Sequence, residues 1–231
     1  MSEERVALVS GARRGIGRAI AERLRADGWR LSLGVRGGAA EGIEPGERLR
    51  VHAYDALDGG EREWVAAALD HFGRIDAIVA NAGIMVPKSV IEGTDDELDA
   101  MWEVNVKAPR RLAQAAFPAL GASGRGRIVI VASLSGKRVK TPGSSLYAVT
   151  KHAAVALAHG LRQTGFDQGI RVTAVCPGFV ATDMARALSS VADEAMTSPD
   201  DLARLVATVL DLPNTASVAE LAVNWQAEEL Y

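Results

Sequence analysis

Short runs of consecutive apolar residues alternate along this chain with longer stretches in which apolar residues recur every three or four positions. The apolar runs occupy residues 6–9, 31–35, 49–54, 75–80, 128–132 and 171–175. Runs of this length and branching predict strands buried on both faces of a sheet. The helical spacing occurs in residues 16–24, 61–72, 95–120 and 147–161. This alternation predicts one α/β domain, residues 1–231, with a parallel sheet covered by helices on both faces.

The first apolar run leads into a glycine-rich turn and then into a helical pattern. Glycines let a backbone come close to a pyrophosphate, and a helix N-terminus offers unpaired N–H groups to it. The turn therefore predicts a dinucleotide-binding loop, with an ordinary tight turn as the alternative. Its spacing differs from G-x-G-x-x-G, because three residues separate the first two glycines. The candidate cofactor-binding residues of this loop are Ser10, Gly11, Arg13, Arg14, Gly15, Ile16 and Gly17.

Basic residues stand where a cofactor with a free 2′-hydroxyl would require an acid. No Asp or Glu occurs between Gly28 and Glu41, and Arg36 follows the second predicted strand. The guanidinium groups of Arg14 and Arg36 suit the 2′-phosphate of NADP(H), which they would bind through charge-assisted hydrogen bonds. NADP(H) is therefore favoured over NAD(H), which stays open because two solvated surface arginines are the alternative.

The ends of later predicted strands carry further candidate cofactor-binding residues. Asp55 ends the third strand, where its carboxylate is either a partner for an adenine amino group or the cap of a turn. Asn81-Ala82-Gly83 follows the fourth strand. The small residues there would let the backbone lie against a cofactor, and Asn81 would brace neighbouring strand ends. Because ligands of parallel sheets bind beyond the C-terminal strand ends, all these motifs are expected at one edge.

Ser133, Tyr147 and Lys151 form the candidate catalytic group. Ser133 follows the fifth strand, and Tyr147 and Lys151 are four residues apart at the start of a helix, so they share one helix face. An ammonium one turn from a phenol favours the phenolate and lowers the phenol pKa. Lowering it from about 10 to about 7 requires roughly 4 kcal/mol, so a second positive charge, such as an oxidised nicotinamide, would help. The alternative is a chance Tyr-x-x-x-Lys on an ordinary helix.

The helix predicted over residues 95–120 contains Asn105 and, four residues later, Pro109. Proline has no N–H, so the carbonyl of Asn105 loses its helical partner and the helix should kink there. A carbonyl freed in this way can bind an ordered water in a cleft, or a neighbouring side chain satisfies it.

Composition excludes several classes of protein. The chain has 231 residues, 48% hydrophobic and 24% charged, as in soluble globular proteins. A net charge of −3 gives no reason to expect a nucleic acid or an anionic membrane as partner. The single cysteine, Cys176, excludes an internal disulfide and is compatible with a cytoplasmic location. The four histidines show no metal-ligand spacing, so no metal is predicted.

Taken together, these motifs resemble the short-chain dehydrogenase/reductase family, in its subgroup of about 250 residues. The resemblance rests on Ser10-Gly11-x-x-x-Gly15-x-Gly17, Asn81-Ala82-Gly83, Asn105, Ser133, Tyr147-x-x-x-Lys151 and Pro177-Gly178. It implies a Rossmann-type doubly wound sheet of seven strands in the order 3-2-1-4-5-6-7. It also implies that the segment after the sixth strand binds the cofactor through Pro177, Gly178, Val180 and Thr182. A homotetramer or a homodimer is expected on the same ground.

The resemblance also implies a role for each candidate catalytic residue. Tyr147 would be the general acid–base, and Ser133 would orient the substrate oxygen. Lys151 would bind the nicotinamide ribose and lower the tyrosine pKa, and the carbonyl of Asn105 would hold a water in a proton relay. The implied activity is NADP(H)-dependent hydride transfer between nicotinamide and a small ketone or secondary alcohol. A non-catalytic dinucleotide sensor or scaffold, and epimerisation or dehydration on the same fold, are the alternatives.

Two departures bear on the substrate. The C-terminal residues resemble those of small alcohol and hydroxy-amino-acid dehydrogenases of the family more than those of 3-oxoacyl carrier-protein reductases, which stay open as alternatives. The segment over residues 182–199 is short and has few large apolar residues, which argues against a bulky substrate. The basic residues Lys137, Arg138 and Lys140 suit either an anionic substrate or a solvated loop, and the solvated loop is the favoured interpretation.

Overall fold

A computed structural model describes residues 4–228 of the protein. Within that range seven strands form a single parallel sheet in the order β3-β2-β1-β4-β5-β6-β7, which confirms the predicted topology. The strands are β1 (Val6–Ser10), β2 (Arg30–Val35), β3 (Leu49–Ala53), β4 (Ala77–Ala80), β5 (Arg127–Val131), β6 (Arg171–Pro177) and β7 (Glu220–Val223). Every neighbouring pair of strands runs parallel.

Helices connect the strands and cover both faces of the sheet. The α-helices of the described range are α1 (Gly15–Ala26), α2 (Glu61–Phe72), α3 (Asp95–Trp102), α4 (Ala108–Ala122), α5 (Ser145–Gly165), α6 (Asp183–Leu188) and α7 (Pro199–Asp211). None of the helices in residues 4–228 combines the length and the apolar character that crossing a bilayer requires.

Two hydrophobic cores lie on opposite faces of the sheet. Side chains of β1 alternate between them, since Val6 and Leu8 pack with α2, α4 and α5, whereas Ala7 and Val9 pack with α1 and α7. This alternation follows from the two-residue period of a strand. Because both faces are covered, the C-terminal strand ends are left as the open edge for a ligand.

The helix predicted over residues 95–120 is present, and it is interrupted at the predicted place by a π-helical turn. The segment consists of α3, a π-helical turn over Glu103–Lys107, and α4. The N–H of Ala108 bonds to the carbonyl of Glu103, five residues back, instead of four. Pro109 has no N–H to offer Asn105, so the ordinary helical bonding cannot continue across this point and the chain takes a wider turn. The predicted disturbance at Asn105 is therefore present as a π-helical turn.

Candidate active site

A cleft of about 1310 Å³ opens along the C-terminal edge of the sheet. Most of the predicted site residues line it: Gly11, Arg13, Arg14, Gly15, Ile16, Arg36, Asp55, Asn81, Ala82, Gly83, Ser133, Tyr147, Lys151, Pro177, Gly178, Val180 and Thr182. Ser10, Gly17 and Asn105 are buried behind its wall. The topology thus brings residues from the ends of six strands, β1 to β6, and from helices α1 and α5 into one cavity.

The glycine-rich turn between β1 and α1 has a geometry that suits a phosphate group. Gly11 and Gly15 have φ angles of 65° and 57°, which side chains with a Cβ rarely adopt. A Cβ at Gly17 would meet the carbonyl of Gly11 and lie 2.5 Å from Nδ2 of Asn81. No side chain caps α1 and its first turn holds no acidic residue, so its N-terminal N–H groups and positive dipole end are available to an anion. These residues fit a dinucleotide.

Ser10 and Asn81 join the ends of β1 and β4. The hydroxyl of Ser10 accepts hydrogen bonds from the N–H groups of Asn81 and Ala82, both at 3.0 Å. In return, Nδ2 of Asn81 donates to the carbonyls of Ser10 at 3.1 Å and Gly11 at 3.3 Å. The predicted bracing role of Asn81 is present. Ser10, predicted to contact the cofactor, instead fixes the loop from behind.

The basic residues near the glycine turn are in different environments. Arg14 forms an exposed ion pair with Asp183 at the start of α6, at 2.7 Å. Arg36 is exposed on the cleft wall directly after β2. Asp55 accepts a hydrogen bond from the N–H of Leu57 at 3.1 Å while lining the cleft, so it caps a turn there. Asp183 was not found from the sequence, because nothing local links it to a residue 169 positions earlier.

The segment after β6 closes the cleft above the glycine turn. The N–H of Gly178 donates to Val223 of β7 at 2.8 Å, and Val180 forms a β-bridge with Thr197. Thr182 caps α6 through its hydroxyl, and a Cβ at Gly15 would lie 3.2 Å from its methyl group. The two cofactor-binding segments predicted from the sequence therefore approach each other directly.

Ser133 and Tyr147 meet at the deep end of the cleft. The Ser133 hydroxyl accepts a hydrogen bond from the N–H of Ser135 at 3.0 Å and lies 3.4 Å from the carbonyl of Pro177. Tyr147, in the first turn of α5, is 8% exposed. Burial raises the pKa of Tyr147 above its ordinary value, because the phenolate would lose its hydration, and a hydrogen bond with Ser133 acts in the opposite direction.

Lys151 lies one turn after Tyr147, as predicted, but does not have the predicted effect on it. Its ammonium donates to the carbonyl of Val131 at 3.0 Å and lies 5.5 Å from the centroid of the Tyr147 ring. Burial lowers the pKa of Lys151 to about 8. The expected lowering of the tyrosine pKa is absent in the protein alone, where the pKa is raised, since burial disfavours the charged forms of both groups.

Asn105 connects the π-helical turn to α5 through its side chain. Its amide oxygen accepts from the N–H of Ile84 at 3.0 Å, and its amide nitrogen donates to the carbonyl of Ile84 and to the hydroxyl of Thr150. Thr150 in turn donates to the carbonyl of Tyr147 at 2.8 Å. From the sequence, only the backbone carbonyl of Asn105 has a predicted role, and Thr150 is not found. Its position three residues after Tyr147 is the available signal.

The basic loop between Ser133 and Tyr147 is not the solvated loop that was favoured. Lys137 forms an ion pair with Glu220 of β7. Arg138 and Lys140 both form ion pairs with Glu228, at 2.6 Å each. The three basic residues are therefore bound to the C-terminal part of the chain, and Arg138, Lys140 and Glu228 line the cleft.

Residues 5–193 match the sequence profile described as short chain dehydrogenase. Because this match covers most of the chain, the protein belongs to the short-chain dehydrogenase family, as its motifs implied.

Individual relatives agree with this assignment. An agropine synthesis reductase of Rhizobium rhizogenes is 37% identical over 233 residues, covering 98% of this chain and 54% of the reductase. The chain therefore spans about half the length of that relative. An alcohol dehydrogenase from Thermococcus sibiricus, solved with 5-hydroxy-NADP, superposes with a TM-score of 0.85 at 30% identity, covering 98% of this chain and 100% of the other. A short chain dehydrogenase from Burkholderia cenocepacia J2315, solved with NADP, gives 0.84 at 34% identity, covering 96% of each chain.

Proposed function

We propose that this protein is an NADP(H)-dependent oxidoreductase that transfers hydride between nicotinamide and a small ketone or secondary alcohol. The observation that carries this proposal is the meeting of Ser133, Tyr147 and Lys151 in one cleft with the glycine turn and Arg36. Relatives solved with NADP or 5-hydroxy-NADP support the choice of cofactor.

Different groups of described residues would bind different parts of the cofactor. The glycine turn and the N-terminus of α1 would hold the pyrophosphate, and Arg36 and Arg14 would hold the 2′-phosphate. Arg13 would also contact the cofactor. Asp55 would lie near the adenine. Ala82, Gly83 and the segment of Pro177, Gly178, Val180 and Thr182 would enclose the nicotinamide half. Bound NADP(H) supplies or accepts the hydride; NAD(H) is the alternative cofactor.

Tyr147 is the proton donor of this proposal. Its raised pKa keeps the phenol protonated at neutral pH, which suits donation of a proton to a carbonyl oxygen during reduction. Ser133, which hydrogen bonds with the phenol, would hold that oxygen in place. The reverse reaction requires the phenolate, and a positive charge beside Tyr147 would favour it.

Lys151 and Asn105 act around the phenol. The ammonium of Lys151 would bind the ribose hydroxyls of the cofactor and stabilise the phenolate. A water on the carbonyl of Asn105 would pass protons to Lys151. The π-helical turn supports this assignment, because it is the point at which ordinary helical bonding is interrupted.

The experiment is a panel of small ketones and secondary alcohols followed through NADPH absorbance, with NADPH binding measured separately by fluorescence. Turnover of small carbonyl compounds is expected. Binding of NADPH without turnover of any substrate would favour the alternative of a dinucleotide sensor. A preference for acyl-carrier substrates or hydroxy-amino acids would assign the activity to 3-oxoacyl carrier-protein reduction or to hydroxy-amino-acid oxidation.

We further propose that residues 1–231 work as one cytoplasmic dinucleotide-binding domain that assembles into a homotetramer or homodimer. The family resemblance supports an interface through the two long central helices, residues 95–120 and 147–165. Light scattering should give a mass of two or four chains, and a monomer would contradict this proposal.

A further inference from the structure

An ion cluster stands in the wall of the catalytic cleft. Nε and Nη2 of Arg138 both donate to Oε2 of Glu228, at 2.8 Å and 2.6 Å. Nζ of Lys140 and Nε2 of Gln226 donate to Oε1 of the same carboxylate, at 2.6 Å and 2.9 Å. Four donors thus surround one carboxylate, which is 15% exposed, while the side chain of Arg138 is 13% exposed.

The cluster belongs to the end of the cleft that holds the catalytic residues. Arg138 lies five residues after Ser133, and its N–H donates to the carbonyl of Leu134 at 3.1 Å, so a tight turn keeps it near the serine. Lys140 is followed by Thr141 and Ser144, whose capping interactions begin the short turn that leads into α5 and Tyr147. Arg138, Lys140, Ser133 and Tyr147 all line the same cavity.

The cluster has an excess of positive charge. Among the described residues lining the cleft the acids are Glu22, Asp55, Asp183 and Glu228. Of these, Glu22 pairs with Arg18, and Asp183 pairs with Arg14 and Arg186, all around the glycine turn and α6. Among the cleft-lining residues within 4–228, Arg138 and Lys140 therefore share the single carboxylate of Glu228, so the described part of this wall has more positive than negative charge.

The hydrogen bonds of Glu228 indicate which chemical group this cluster can bind. A carboxylate with donors on both oxygens is bound as a carboxylate ligand would be, and the pKa of Glu228 is lowered to about 2, first by Lys140. Glu228 comes from the C-terminal segment, 90 residues from Arg138 in sequence. When no ligand is bound, its carboxylate prevents Arg138 from becoming a largely buried charge without a counter-ion.

We propose that Arg138 and Lys140 bind a carboxylate of the substrate, and that Glu228 is the internal occupant that this carboxylate displaces. The inference rests on the proposed oxidoreductase activity and names its substrate class, small oxo acids and the corresponding hydroxy acids. Exchange of one carboxylate for another keeps both cations paired, so binding does not require a new buried charge to be neutralised.

The test compares 4-oxopentanoate with its methyl ester, a ketone of the same carbon skeleton in which a methyl group on the carboxylate removes the negative charge. The wild-type protein should have a higher kcat/KM for the acid. Arg138→Gln should lower the ratio of acid to ester kcat/KM roughly ten- to a hundredfold, mainly through the KM of the acid, because a charge-assisted pair is lost. Lys140→Gln, at a more exposed position, should lower the ratio less and provides a second test if the Arg138 variant fails to fold.

A matched control is Arg25→Gln, which removes an exposed arginine from the last turn of α1, outside the cleft, and should leave the ratio unchanged. Glu228→Gln provides the test of displacement. It removes the competing negative charge, so the KM for 4-oxopentanoate should fall severalfold while that for the ester changes little. A rise in the KM of the acid would overturn the displacement.

The outcomes separate this inference from the proposed function. If the ester and the acid are reduced equally well and Arg138→Gln does not change their ratio, the carboxylate site is refuted while the oxidoreductase activity stands. If NADPH is not oxidised with any carbonyl compound in the panel, both proposals fall. A wild-type preference for the acid that falls strongly in Arg138→Gln and to a smaller extent in Lys140→Gln supports the inference.

Discussion

Two tyrosines line the same cleft in opposite electrostatic surroundings. Tyr54 follows β3 and Tyr147 begins α5, and burial raises the pKa of both phenols above the ordinary value. The hydroxyl of Tyr54 donates to Glu61 at 3.0 Å. Tyr147 instead has Ser133 and Lys151 beside it. Equal burial therefore produces two different phenols.

The surroundings of Tyr54 stabilise the protonated form of its phenol. Glu61 is 2% exposed and is held by Arg111, which donates to both of its oxygens and also pairs with Glu103. The carboxylate of Glu61 accepts a hydrogen bond from the phenol and would repel a phenolate. It therefore raises the pKa of Tyr54 further than burial alone does. This phenol is a fixed hydrogen-bond donor.

The Tyr147 region lacks that constraint. Among residues 4–228, no acidic side chain contributes to the pKa of Tyr147. A positive charge brought close to the Tyr147 hydroxyl would therefore lower the pKa of the phenol directly. Burial is the largest cause of the raised pKa of both phenols, and the acidic neighbour Glu61 is what distinguishes Tyr54 from Tyr147.

The largest expected effect is that of Tyr147→Phe. It removes the proposed proton donor, so kcat should fall on the order of a thousandfold, while NADPH binding measured by fluorescence stays close to wild type. Tyr54→Phe is the matched control, since it removes the same hydroxyl from the other buried tyrosine and should retain most of the turnover. Substantial activity in the Tyr147 variant, or equal losses of activity in the two variants, would contradict the different roles given to the two tyrosines.

Lys151→Met should lower kcat about a hundredfold, because the phenolate loses its nearest positive charge. The same change should stabilise the fold at pH 7. The pKa of the buried amine is lowered from 10.5 to about 8, which corresponds to a cost of roughly 3 kcal/mol for carrying its charge in the folded state. Urea unfolding of the variant and the wild type at pH 7 measures the gain.

The pH dependence of the stability difference between Lys151→Met and the wild type provides a control. Below pH 8 the amine is charged in both states and the folded state bears the cost. Between pH 8 and 10.5 the folded state has released the proton and the unfolded state has not, so wild-type stability rises with pH. The advantage of the variant should therefore shrink across this window. A constant difference would contradict the lowered pKa.

Arg36→Asp tests whether the end of the cleft near Tyr54 serves the cofactor and not the proton transfer. The N–H of Tyr54 bonds to the carbonyl of Val35, directly before Arg36. The change should raise the KM for NADPH roughly ten- to a hundredfold relative to that for NADH, because the charge-assisted bonds to the 2′-phosphate are lost. The pH profile of kcat should not move. Equal effects on both cofactors would contradict the assignment.

The smallest effect expected is on the stability of Tyr54→Phe. The phenol gives up one hydrogen bond to Glu61, whose carboxylate remains paired with Arg111, so the free energy of unfolding should fall by about 1 kcal/mol. Urea unfolding at constant pH measures this loss. A loss of several kcal/mol would mean that Glu61 depends on the phenol more than on Arg111.

Much of the fold was determined locally and could be predicted from sequence. Apolar runs and helical spacing predicted six of the strands, and the helix over residues 61–72 coincides with α2. The strand order, including β7, came from the family resemblance, since residues 220–223 form no continuous apolar run. The site residues were found because glycine turns and strand ends can be recognised within a few positions.

Only the tertiary structure decided the electrostatics and the fine geometry of the site. The spacing of Tyr147 and Lys151 predicted a lowered phenol pKa, but burial, which depends on what distant segments exclude from water, reverses its direction. Glu228 reaches Arg138 across 90 residues, and no local pattern encodes that pairing. Periodicity and turn chemistry are fixed by neighbours in sequence, whereas desolvation and long-range ion pairs are fixed by neighbours in space.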